Sequence, residues 1–246
     1  MKVLSSIIIT LLPIILLLFN YSYIGEKSAS VSIIYGATVL FSLLLFLGFH
    51  FLVRKKDKWF YLLFGSVLVV NIDYYLLSVS TNIENALIYN RISYLGSVFL
   101  PLSMLFVIMN VSNIKYKKAL SYILFSIAFI IFFITATPGF SDIYYKEVSI
   151  ETVNGVTILN KVYGKWHCVY LYYLLTYFTS MISVIVYSSL KRKVASSMHA
   201  IVLAFAVLIN IGVWLIEQLV EINFEFLSVS YIISEIFLLG IYILLQ

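Results

Sequence analysis

Residues Tyr89–Asn110 read YNRISYLGSVFLPLSMLFVIMN, and after Arg91 no charged residue occurs before Lys115. At ~1.5 Å per helical residue, a run of that length crosses the ~30 Å hydrocarbon core of a bilayer. Comparable runs lie on both sides of it. Together they place spans at about 4–23, 30–53, 59–80, 85–111, 119–137, 166–189, 200–220 and 226–246. The expected fold class is an all-α polytopic membrane protein of about eight transmembrane helices. Residues 1–29 form an N-terminal span or signal anchor, and residues 30–246 form a seven-helix bundle. The first run also fits a signal peptide, because Lys2 precedes it and Ser28, Ala29 and Ser30 follow it. Its long apolar core and the distance to those small residues favour a retained span.

Composition excludes several classes. Of the 246 residues 63% are hydrophobic and 11% charged, where a soluble chain carries about a quarter charged residues. The net charge of +5 resides in short clusters between apolar runs, so it reflects topology and not nucleic acid. A single cysteine, Cys168, rules out an intramolecular disulfide and a cysteine zinc cluster. His50, His167 and His199 sit at span ends without paired spacing, and there is no nucleophile elbow or phosphate-binding glycine loop. No enzyme, cofactor or metal is expected.

Positive charge sets the orientation. With the N-terminus in the cytoplasm, that side holds Lys2, Arg54, Lys55, Lys56, Lys58, Lys115, Lys117, Lys118, Lys191, Arg192 and Lys193. The other side holds Lys27, Arg91, Lys146, Lys161 and Lys165. The chain is therefore expected to be multi-pass in the plasma membrane with a cytoplasmic C-terminus. The long loop, 138–165, falls outside the cell. In it Asn154-Gly155 separates two stretches of partly alternating polarity, the pattern of a tight hairpin turn. A small extracellular β-hairpin is expected over the helix mouth, either as a passive cover or gripping a ligand. Trp59, Phe60, Tyr61, Tyr144, Tyr145, Trp166, Tyr170, Tyr172 and Tyr173 are expected at headgroup level.

An ionisable group inside a span is costly, so each is a candidate for function. Asp73, Arg91, Glu217 and Glu235 qualify, and all four fall in the outer half of their spans. Asn210, Trp214, Glu217 and Glu221 share one helical face, as do Ser228, Tyr231, Glu235 and Tyr242. Tyr170, Tyr173, Tyr177 and Ser180 form a polar-aromatic stripe. These faces either line one hydrated cavity or supply interhelical hydrogen bonds, and Asp73 with Arg91 could be a structural ion pair. Pro101 is expected to kink its span, with Gly96 above it allowing close approach.

Several of these positions carry a resemblance. Arg91, the Tyr94-Leu95-Gly96 step and Pro101, then Thr137-Pro138, then Tyr163-Gly164 before Trp166, with Glu225 and Ser228 opening the last span, resemble the N-terminal seven-transmembrane region of bacterial sensor histidine kinases. The resemblance covers roughly residues 30–246. Two features depart from it: the extra apolar segment 4–23, and the end at Gln246, where the family continues into an output domain. The chain is thus expected to be an excised input domain or a free-standing receptor working through a partner.

The resemblance implies a sensory input module of a two-component system. The ligand-binding candidates are Asp73, Arg91, Trp214, Glu217, Glu235, Tyr173 and Tyr177. The expected partners are membrane lipid, a small ligand or peptide, a cytoplasmic kinase or cyclase output domain in cis or in trans, and a second copy in a homodimer. The alternatives are a transporter subunit using its intramembrane carboxylates, and a non-catalytic assembly partner. The lack of an internal repeat of spans counts against the transporter.

Overall fold

The computed structural model describes residues 27–153, 156–192, 197–220 and 226–245. Seven helices follow in order: α1 Lys27–Leu52, α2 Lys58–Ser78, α3 Ile83–Val111, α4 Lys118–Thr135, α5 His167–Leu190, α6 Ser197–Leu219 and α7 Leu227–Leu244. All seven are long and apolar enough to cross a membrane. The expected span at 4–23 lies outside the described residues.

The helices ring α3. Contacts run from α1 to α2, from α4 to α5, α6 and α7 in turn, and from α7 back to α1, while α3 packs against α2, α4, α5 and α7. Burial follows from this placement. From Val98 to Met109 every residue of α3 is buried. By contrast α4 turns Tyr122, Ile123, Ile127, Ile130 and Phe133 outward, an apolar surface that lipid can cover without cost. The helix α3 runs on through Pro101. Gly96 permits a close approach of α3 to α2. A Cβ there would stand 2.5 Å from the Ser66 carbonyl oxygen and 2.6 Å from Val70 Cγ2 on α2.

One end of the bundle carries the basic loops and is tied by side chains. Asp57 caps α2 by accepting from Trp59 N at 2.7 Å, and its other oxygen accepts from Asn110 Nδ2 at 2.6 Å. The Trp59 indole donates to Tyr116 OH at 2.7 Å and stacks on Phe106 at 4.0 Å. Trp59 and Phe60, expected at headgroup level, are instead core residues, 3% and 0% exposed. Their helix begins under the bundle, so these rings meet α3 and α7 before they can meet lipid. Replacing Asp57 with alanine should lower the unfolding free energy by about 1–2 kcal/mol, the worth of an N-cap. Thermal unfolding in detergent checks this, and Asp57→Asn, which keeps the acceptor, should lose less.

The other end carries an antiparallel hairpin, β1 Tyr145–Val153 and β2 Val156–Tyr163. Val153 pairs with Val156 on either side of Asn154-Gly155, which lie outside the described residues, and a bulge falls between Tyr145 and Glu147. The two strands form a small antiparallel sheet within residues 145–163. It is pinned to the bundle by Thr157, whose hydroxyl donates to the Ser80 carbonyl at 2.6 Å just past the end of α2. At its base Gly164 donates to the Tyr144 carbonyl at 2.8 Å, and a Cβ there would collide with the carbonyl oxygens of Ile143 and Asp142.

Candidate functional site

Beneath the hairpin lies a cavity of about 210 Å³, walled by α2, α3, α5, α6, α7 and both strands. The contribution of α3 is a polar stripe: Asn90, Ser93, Tyr94 and Ser97 fall at i, i+3, i+4 and i+7, so one helical face enters the cavity. Opposite stand Trp214 and Glu217 of α6 and Tyr231 of α7. The hairpin supplies Tyr145, Lys161 and Tyr163, and α5 supplies His167 and Tyr170.

A chain of hydroxyls joins hairpin to bundle. Tyr144 OH donates to Tyr94 OH at 3.0 Å, and Tyr94 OH and Tyr145 OH are 2.7 Å apart. Burial pushes the Tyr144 hydroxyl well above the ordinary tyrosine range, so it stays protonated and available as a donor. The His167 ring stacks on Tyr163 at 3.7 Å, and Lys161 Nζ lies 5.7 Å from the Tyr145 ring centre. These contacts fix the aromatic surface of the roof.

The candidate residues separate by their place relative to the cavity. Trp214 and Glu217 line the cavity. Trp214 leans on Phe178 with ring centres 6.1 Å apart, and Glu217 Oε1 accepts from Leu227 N at 2.8 Å. That bond satisfies one of the amides that every helix start leaves open. Tyr173 and Tyr177 stand behind the wall with rings 4.7 Å apart, and Tyr173 OH donates to the Val98 carbonyl at 2.8 Å. Asp73 is 1% exposed, one residue before the cavity-lining Tyr74.

Arg91 and Glu235 are elsewhere. Nε and a terminal nitrogen of Arg91 donate to the Pro138 carbonyl at 3.0 and 2.7 Å, and its guanidinium lies 4.0 Å over the Phe140 ring. It clamps the turn after α4. Glu235 is 1% exposed, one turn below Tyr231 on the same face of α7. Neither of its carboxyl oxygens has a hydrogen-bond partner among the described residues, and the same holds for both side-chain polar atoms of Asn71 in α2.

The remaining polar face of α6 serves packing. Asn210 Nδ2 donates to Ser234 Oγ at 2.8 Å, Ser230 Oγ donates to Asn210 Oδ1 at 2.9 Å, and Ser234 Oγ donates to the Ala206 carbonyl at 2.8 Å. This stitches α6 to α7 in the way polar groups join membrane helices. At the far end of α7, Tyr242 OH donates to the Lys55 carbonyl at 2.6 Å, in the loop between α1 and α2. Glu221, on the same predicted face, lies outside the described residues.

Sequence reasoning missed Asn90, Ser93 and Ser97, although their spacing carries the signal. It could not find Lys161 and Tyr145 as site residues, because only the docking of the hairpin brings them over the bundle. The family model described as the N-terminal 7TM region of histidine kinase matches residues 32–243 of the chain. No curated protein and no solved structure matches it.

Proposed function

The chain belongs to the family of N-terminal seven-transmembrane regions of histidine kinases, and on that premise we propose that its cavity under the hairpin is the receiving site of a membrane sensory input module. The hairpin end faces outward and the basic end faces the cytoplasm, as the Lys and Arg distribution argues. A small ligand enters from outside or from the outer leaflet. The output is a kinase, in cis or in trans, reached from the basic end.

One observation carries this reading: Glu217 both lines the cavity and holds the first amide of α7. Tyr231, on the next turn of that helix, also lines the cavity. The helix α7 runs ~23 Å from Leu227 to Tyr242 and its bond to Lys55. A ligand that draws on Glu217 or displaces Tyr231 therefore acts on α7 directly, and the Asn210–Ser230–Ser234 stitch makes α6 move with it. The ligand shifts the equilibrium only by its unequal affinity for the two packings.

Hydrogen exchange on the chain in nanodiscs tests the coupling. Glu217→Ala should raise exchange in the first turn of α7 and also around Tyr242. Loss of protection confined to the first turn would rule out transmission along the helix. The transporter alternative draws support from the carboxyl of Glu235, which has no hydrogen-bond partner among the described residues. Substrate flux into proteoliposomes that depends on Glu235 would establish it in place of the sensor.

A further inference from the structure

The lining of the cavity points to a ligand class, an inference that rests on the cavity being the receiving site. Among the described residues its walls carry one fixed cation, Lys161, and one carboxylate, Glu217, on different elements. Every other described lining side chain is formally uncharged at neutral pH with histidine neutral. A ligand of single charge would meet one favourable and one unfavourable partner inside a partly desolvated space, where like charges are costly. A molecule bearing both signs meets two favourable ones.

Two further features agree. Asn90 is 5% exposed, and its Oδ1 is buried with no hydrogen-bond partner among the described residues, as is Nδ1 of His167. Both residues line the cavity, so its wall presents a buried acceptor that an N–H donor would satisfy. The aromatic walls supply ring faces to a cation, with Trp214 on the same helix as Glu217 and one turn from it. The volume, about 210 Å³, lies below the ~300 Å³ where drug-sized ligand sites begin, so the guest is small.

We propose that the cavity binds a small zwitterion of the α-amino acid type. Its carboxylate lies toward Lys161 and the Tyr94–Tyr145 hydroxyls, and its ammonium toward Glu217, Trp214 and the Asn90 carbonyl.

The test uses the full chain in nanodiscs and isothermal titration with L-leucine, L-phenylalanine and glycine betaine. Leucinamide and N-acetyl-leucine, each lacking one of the two charges, serve as comparators. At least one zwitterion should bind, and removal of either charge from that ligand should weaken it by about tenfold or more, since one charge-assisted contact is worth roughly that factor. Lys161→Met should narrow the gap between the zwitterion and its amide. Glu217→Gln, which keeps an acceptor for Leu227 N, should narrow the gap to the N-acetyl form. Equal binding of a singly charged comparator would overturn the zwitterion class while leaving the cavity as the receiving site. Absence of binding by every compound, with α7 exchange still responsive to Glu217→Ala, would overturn the ligand class alone. Absence of both would overturn the receiving site as well.

Discussion

Gly96→Ala should be among the most damaging single-methyl changes in this protein, lowering the thermal midpoint in detergent by roughly 5–10 °C. The added Cβ would stand 2.5 Å from the Ser66 carbonyl oxygen and 3.2 Å from the Val70 amide nitrogen. Both are backbone atoms of α2, so no side-chain rotation relieves the contact and the two helices must separate. Overpacking of this kind costs ~1–3 kcal/mol or more, at ~2–4 °C per kcal/mol for a chain of this size. Moving α3 also moves the stripe Asn90, Ser93, Tyr94 and Ser97, so the cavity should lose its shape with the stability. Gly65→Ala is the matched control. Nothing stands within 4 Å of a Cβ at that position, and alanine is the better helix former. A midpoint for Gly96→Ala within 2 °C of that control, a bound set by about 1 kcal/mol, would show that α2 and α3 do not touch as described.

Glu235→Leu should raise the thermal midpoint and impair transmission. The carboxyl is 1% exposed, and neither oxygen has a hydrogen-bond partner among the described residues. An unsatisfied buried polar group costs ~1–3 kcal/mol even when uncharged, and leucine is of similar size and free of that cost. The rise should be ~3–8 °C. The same substitution should reduce the change in α7 exchange that Glu217→Ala produces. A polar group kept at this depth against its own cost is the pattern of stability given up for function. A fall in midpoint would mean that the carboxyl is held by a water or a group beyond the described residues, and the argument from an unsatisfied acid would fail.

Much of this protein was legible in its sequence. The seven described spans follow from apolar run length, because backbone in lipid must satisfy its own hydrogen bonds and helices do so. The pairing of Tyr145–Val153 with Val156–Tyr163 follows from two stretches flanking Asn154-Gly155. Helical periodicity places Trp214 and Glu217 on one face, since residues three apart on one helix share a face whatever surrounds it, and both line the cavity.

Periodicity does not say which neighbour a face will meet. Arg91 and Asp73 lie at similar depth, yet Arg91 is taken by the Pro138 carbonyl and the Phe140 ring. Trp59 and Phe60 carry the composition of an interfacial belt and are core, because α2 starts against α3 and α7. Asn210 and Glu217 share a face, but one is spent on Ser230 and Ser234 and the other reaches the cavity. The sequence by itself determined the spans, their polar faces and the hairpin, which depend on contacts a few residues apart. The tertiary structure alone decided which polar groups are partnered and which are left facing a cavity. A hydrogen bond is made at ~3 Å or not at all, and that distance is set by how seven helices and a hairpin pack together.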